Sequence, residues 1–178
     1  MTRALVVYES LFGDAAAIAH AIAAGLSEIV PADVVAASDA PAEIGPEIAL
    51  LVAGGPNHAF GMPRPTTRGS AVEDHGADVP DLRAGLREWL RSVRAASPGL
   101  RAAAFDTRDT RHPTLTRMDH ASRTEEKLLG RLGAEIVAPA EHFAVTGTRG
   151  PLAAGEEERA RAWGRALGER LFSGAVRR

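Results

Sequence analysis

Short, unbroken apolar runs alternate along the chain with longer segments in which apolar residues recur at helical spacing. Ala4 to Tyr8 is a continuous β-rich run that does not alternate with polar residues, as expected of a strand covered on both faces. Ile18, Ile22, Leu26 and Ile29 then fall at i, i+4, i+8 and i+11, which lines one face of a helix over Ala15 to Ile29. Asp33 to Ala37 reads as a weaker strand, and Ile48 to Ala53 as a strong one stopped by Gly54, Gly55 and Pro56. From Gly54 to Pro80 the chain is rich in Gly, Pro, Thr and Arg, the pattern of a long loop, and such loops are usually functional or disordered.

Helical period returns with a stripe of Leu82, Leu86, Trp89, Leu90 and Val93. Ala102 to Phe105 is the next expected strand, ending at Asp106. A polar loop from Thr107 to Arg117 leads into a helix over Asp119 to Leu132, with Leu128, Leu129 and Leu132 inward and Gly133 as its C-cap. The last strand is broken, as Glu135 to Val137, then Pro139, then His142 to Val145. A final helix opens at Gly155 and places Glu156, Glu157 and Glu158 in its positive first turn. It buries Ala160, Trp163, Leu167 and Leu171.

Strands and helices that alternate in this way imply an α/β domain, a doubly wound five-stranded parallel sheet with helices on both faces. Four helices are clear, and the segment from Pro41 to Ile44 is expected to add a short fifth. The 178 residues are enough to bury a sizeable core. With no repeat or composition break, residues 1–172 read as one domain and 173–178 as a flexible tail.

Composition narrows the function. A formal charge of −2 gives no reason to expect nucleic acid or an anionic membrane as partner. No apolar stretch reaches the roughly 20 residues of a membrane span, and no signal peptide is recognisable. A cytoplasmic protein is the expectation. The lack of cysteine excludes disulfides, iron–sulfur clusters and thiol chemistry. No Gly-x-Gly-x-x-Gly follows the first strand, and Ser10 lacks a nucleophile elbow, since Tyr8 and Phe12 hold the flanking positions. Asp106, Asp109, His112, Asp119 and His120 cluster without metal-ligand spacing, so no metal is expected. No residue stands out as a dedicated acid, base or nucleophile.

Open sheets of this kind bind ligands beyond the carboxyl ends of their strands, where strand order reverses. The loops there are Glu9 to Asp14, Gly54 to Arg68, and Thr107 to Arg117, and they hold the unusual sequence of the chain. A phosphate suits the first of them, because uncapped amides and the positive end of the helix dipole converge there. Gly13 permits a tight turn and Ser10 offers a hydroxyl. Equally, Ser10 and Asp14 suit a plain helix cap.

The run from Val7 through Glu9, Ser10, Leu11, Phe12 and Gly13 to Asp14 resembles the flavodoxin phosphate loop, a Ser/Thr-x-Thr-Gly-Asn-Thr-like turn. The likeness extends to Gly54 to Gly61 after strand three, to Phe105 to Arg108 after strand four, and to the element order from Leu5 to Leu171. It implies the flavodoxin-like strand order 2-1-3-4-5 in three layers, and FMN as cofactor. Carried onto this chain, the family's phosphate site falls on Ser10, Leu11, Phe12, Gly13, Asp14 and Ala15. Its ring-contacting loops fall on Pro56, Asn57, His58, Ala59, Phe60 and Gly61 and on Asp106, Thr107 and Arg108. The function implied is that of an FMN-binding oxidoreductase or electron-transfer protein, working with a redox partner or a small electron acceptor; a homodimer stays open.

Two positions depart from the family. Asp14 stands where the motif has Asn, and Ala15 where it has a hydroxyl residue. Losing one donor costs ~1–2 kcal/mol, and a carboxylate about 4 Å from a phosphate costs on the order of 4 kcal/mol at an effective dielectric of about 20. These changes support the alternative reading, a flavodoxin-fold binding or regulatory module with FMN weakened or lost. Arg64, Arg68, Arg108 and Arg111 are available to compensate, or else pair with nearby acids. Phe60 is the better stacking candidate, while Phe12 suits the core. His58 either meets a ligand or holds its loop through a backbone carbonyl.

Overall fold

The computed structural model describes residues 1–58, 61–111 and 121–173. Its main sheet is built from β1 (Arg3–Tyr8), β2 (Ala32–Ala36), β4 (Ile48–Pro56), β6 (Arg101–Asp109), β7 (Glu135–Ile136) and β8 (Glu141–Val145). A separate two-residue pair joins β3 (Glu43–Ile44) to β5 (Arg94–Ala95). Five helices lie among the described residues: α1 (Asp14–Ser27), α2 (Pro65–His75), α3 (Leu86–Ser92), α4 (Ala121–Arg131) and α5 (Glu156–Ser173).

The main sheet is parallel throughout and runs β2-β1-β4-β6, with β7 and β8 both paired to β6. Taken by its long strands this is the order 2-1-3-4-5. β7 follows the first residues of β6 and β8 the last, so the outer strand is one strand cut in two around Pro139, as the sequence suggests.

The unbroken apolar runs are explained by the two faces. Ala4, Val6, Leu50, Val52, Ala103 and Phe105 point to one side, against Ile18, Ile22 and Leu26 of α1 and Ala160 and Leu167 of α5. Leu5, Val7, Leu51, Ala53, Ala102 and Ala104 point to the other, against Leu86, Trp89 and Leu90 of α3 and Leu128 and Leu129 of α4. Each strand therefore needs apolar residues at every position. α1 and α5 approach closely. A Cβ on Gly25 would collide with the backbone of Arg161, and one on Gly164 with the backbone of Ile22.

Several local expectations need correction. The stretch from Gly54 to Pro80 is not one loop. β4 continues to Pro56, because Gly54 leaves room for the Phe105 ring opposite it rather than turning the chain. α2 occupies Pro65 to His75, opened by a proline at its first position and closed by Gly76 at φ 67°. Its only buried residues are Arg68 and Ala71, so it shows no apolar period.

Leu82 is exposed and lies outside α3, which starts only after Gly85. The segment Pro41 to Ile44 supplies β3 rather than a helix, with Ile44 buried against the α3 side of the sheet. The expected loop from Thr107 begins inside β6, whose residues Thr107 to Asp109 pair with Phe143 to Val145. Residues 112–117 of that loop and the expected start of α4, with His112, Asp119 and His120, lie outside the described residues, as do residues 174–178. No helix among the described residues is long and apolar enough to cross a membrane.

Candidate functional site

At the end of β1 the chain turns through Ser10 to Gly13 into α1. Gly13 takes φ 100°, a left-handed conformation, and its N–H donates to the Ser10 hydroxyl oxygen at 3.0 Å. No side chain caps α1. Ser10 thus braces the turn, and Asp14, the first helical residue, does not cap either. The first amides of the helix, from Asp14 to Ala16, keep no intrahelical acceptor.

This turn borders a cavity of about 310 Å³. Ser10, Leu11, Phe12, Asp14 and Ala15 form one wall, and Pro56, Asn57, His58 and Thr107 another. All three carboxyl-end loops named from the sequence therefore meet in one place. A third wall was not anticipated: Val145, Gly147 and Thr148, at and after the end of the last strand. The same topological rule marks the end of that strand, and the Gly147–Pro151 turn was its signal in the sequence.

Asn57 donates its N–H to the Thr107 carbonyl at 2.8 Å, which ties two of the loops together. Its side-chain Oδ1 is buried and has no partner, an acceptor left for a donor from outside the chain. His58 and Gly61 exchange backbone hydrogen bonds of 2.8 and 3.2 Å, closing the turn. The imidazole of His58 is held below its ordinary pKa, chiefly by burial, against the opposing effect of a hydrogen bond to the Thr67 backbone. It holds its loop. Ala59 and Phe60 lie outside the described residues. Phe12 packs on Leu11, Ala71 and Ala77 while lining the cavity.

Asp14 leans towards the turn after β8. Its carboxylate occupies the space a Gly150 Cβ would fill, and it is bonded to the backbone of Leu152. Burial pushes its pKa above the ordinary value, and the Leu152 bond works against that shift.

Other named residues do not line this cavity. Gly61 lies beyond it, and Gly13 faces a second one of about 700 Å³ on the β2 side, which Arg149 also borders. Asp106 is fully buried. It accepts from Arg108 Nε at 2.8 Å and Nη2 at 2.5 Å, and its Oδ1 lies 3.1 Å from Nδ1 of His142. Burial raises the Asp106 pKa, but bonds from His142 and Arg108 outweigh it and hold the carboxyl below its usual range. Asp106 and Arg108 are thus an ion pair near the end of an inner strand, and Thr107 alone of the three faces the cavity.

Of the four arginines open either to compensating for Asp14 or to pairing with nearby acids, Arg68, Arg108 and Arg111 pair with acids. Arg111 pairs with Asp109 at 2.6 Å. Arg64 stands at the start of α2 and lines neither cavity. Arg68 is fully buried, bonded to Glu9, Glu88 and the carbonyls of Leu82 and Pro63. Burial opposes its charge, yet the two carboxylates raise its pKa above even the usual guanidinium value.

No family model matches this sequence, and no curated protein matches it. Solved structures do. A flavodoxin from the domain Archaea superposes with TM-score 0.62 at 16% identity, covering 96% of this chain and 99% of that one. Oxidised flavodoxin 2 from Bacillus cereus gives 0.61 at 17% identity, with 98% and 99% covered. A cysteine-to-alanine variant of a flavodoxin from Pseudomonas aeruginosa gives 0.64 at 16%, with 96% and 99% covered. The chain has the flavodoxin fold. On the flavodoxin fold, the 310 Å³ cavity lies at the switch point between β1 and β4, whose crossovers run to opposite faces of the sheet.

Proposed function

We propose that this chain binds FMN in the cavity between the Ser10–Ala15 turn and the Pro56–His58 loop, and serves in electron transfer. The observation that carries the reading is the meeting of an uncapped helix start, the Ser10 hydroxyl and the unpartnered Asn57 Oδ1 in one cavity. These groups fit the cofactor's two ends. The amides from Asp14 to Ala16 and the Ser10 O–H are donors suited to a phosphate. Asn57 Oδ1 accepts from a hydroxyl or a ring N–H.

Bound FMN supplies reversible electron chemistry. The protein's part is to hold, orient and shield it. Ser10 keeps its own hydroxyl hydrogen free for a phosphate while its oxygen braces Gly13. Asn57 and Thr107 join the second and third loops as one wall. Neutral His58 stiffens the turn without adding charge. The oxidoreductase activity, the redox partner or small acceptor, and a cytoplasmic setting belong to this proposal.

Asp14 favours the second reading, a flavodoxin-fold binding or regulatory module that has lost most of its affinity for FMN. Its carboxylate borders the cavity, and no unpaired cation among the lining residues offsets it. A titration of the purified chain with FMN, followed by quenching of flavin fluorescence, decides between them. Saturable quenching at low micromolar FMN supports the first reading; none at high micromolar FMN leaves the second.

A further inference from the structure

Away from that cavity, three arginines lie where the approach to α2 meets α3. Arg87, on α3, has only 9% of its surface exposed. Its Nη2 donates to the Met62 carbonyl at 3.1 Å, and its Nε is buried with no acceptor. Met62 leads within two residues to Arg64, the N-cap of α2. Arg91 lies one helical turn beyond Arg87, so the two share a face of α3.

Among the described residues, none of these three arginines forms an ion pair. The neighbouring acid, Glu88, is already bonded to Arg68 at 2.7 Å. Burial, and then the charges of Arg64 and Arg91, depress the Arg87 pKa below the usual guanidinium value. α2 adds to the same field. It has no acidic residue in its first turn; the Thr67 hydroxyl accepts from the Arg64 N–H at 2.9 Å, and no charged side chain of that turn offsets the positive end.

A buried cation with an unused N–H is costly unless an anion meets it. Elsewhere this chain meets that need: buried Arg68 has two carboxylates and two carbonyls. Arg87 has one carbonyl. We propose that Arg64, Arg87 and Arg91 form a binding site for a phosphate group, distinct from the cavity at the switch point. Arg87 is its floor, and the exposed Arg64 and Arg91 are its rim. Guanidinium forks match the oxygens of a phosphate, and three of them suit a dianion with several oxygens better than a single carboxylate. The phosphate is either free inorganic phosphate or the ester group of a small metabolite. The site does not depend on whether FMN binds.

Calorimetry and thermal melting of the whole chain test it, with and without saturating FMN. The probes are inorganic phosphate and ribose 5-phosphate, against chloride at matched ionic strength. One phosphate is expected to bind beyond any FMN and raise the melting temperature where chloride does not. The double variant R64Q/R91Q is expected to weaken that binding by about tenfold or more while FMN uptake stays unchanged. Tighter binding of ribose 5-phosphate identifies an ester as the natural source; equal or tighter inorganic phosphate identifies the free ion.

In chloride, R87M is expected to melt no lower than the parent chain, and to gain nothing from phosphate. The proposal is overturned if chloride stabilises as much as phosphate, or if R64Q/R91Q keeps the parent affinity. It is also overturned if R87M melts far lower in chloride and still responds to phosphate. Should R87M fail to fold, R64Q/R91Q decides alone.

Discussion

Arg68 Nε donates to Glu9 Oε1 across 2.5 Å, and neither residue has more than 9% of its surface exposed. Glu9 directly follows β1 and immediately precedes Ser10, so this bond fixes where the candidate phosphate turn begins. The second carboxylate oxygen accepts from Arg68 Nη2 and from the amide of Leu86 at the start of α3. Gly85 has no Cβ because the guanidinium and the carboxylate fill that space.

Removing one partner of a buried, hydrogen-bonded pair leaves the other charge uncompensated, which costs ~3–5 kcal/mol. Arg68→Met is therefore expected to lower unfolding free energy by that amount in urea titrations. Adding Glu9→Gln to it should recover a measurable part. Full stability in the single variant would show that the pair contributes nothing to the fold.

Asp14 and Ala15 are the two departures from the flavodoxin pattern. Restoring the amide and the hydroxyl, as Asp14→Asn with Ala15→Thr, is expected to tighten FMN binding by about 10- to 100-fold, corresponding to ~1–3 kcal/mol. Fluorescence titration measures it. An unchanged dissociation constant would mean that the bond to Leu152 keeps Asp14 turned from the phosphate.

Glu125 gives a prediction in pH. It lies on α4 with 1% of its surface exposed and one oxygen unpartnered. Burial, then the charges of Asp106, Glu9 and Glu126, push its pKa well above the ordinary value, with Arg108 opposing. A folded-state pKa above the unfolded one means that the native state holds the extra proton, so stability falls as pH rises from the unfolded value through the folded one. Glu125→Gln should abolish that slope and be at least as stable as the parent chain at pH 8. Asp106 acts in the opposite sense. Its lowered pKa contributes stability above the unfolded carboxyl value that is lost as pH falls through the folded one, and Asp106→Asn should flatten the acid limb. Urea unfolding at a series of pH values reads both.

Gly164→Ala tests the seam between α1 and α5. The added methyl would meet the backbone of Ile22, which cannot swing aside as a side chain can. Overpacking of this kind costs ~1–3 kcal/mol, to be read as a lower melting temperature. An exposed helical glycine would instead gain from alanine, so the sign alone is diagnostic.

What the sequence made legible was whatever repeats with a period. The strands Ala4–Tyr8, Ile48–Ala53 and Ala102–Phe105 stand out because both faces of the sheet are covered. The helices α1 and α5 stand out because each buries one apolar stripe. α2 was hidden, since its inward residues are an arginine and an alanine. The pairing of Arg68 with Glu9 could not be seen either, because the two are 59 positions apart and nothing local marks them. Asp106 and Arg108 looked like loop chemistry because charged residues seldom end a buried strand. Their partner, His142, is a strand neighbour that only the register reveals. Convergence of the three loops was foreseeable from topology, and pairing of Arg108 and Arg111 with nearby acids was open in the sequence, whereas the burial of Arg68 against Glu9 was not.

The glycine-lined seam has a consequence for how the molecule is made. α1 carries the candidate phosphate turn at its start and lies on the sheet, yet its helical neighbour, α5, is nearly a whole chain away in order of translation. Domains grow from the amino terminus as the ribosome works, so α1 emerges early and waits for that neighbour. Until Gly164 has left the exit tunnel, α1 has the sheet to lie on but not its partner helix, and the seam closes only in the finished polypeptide.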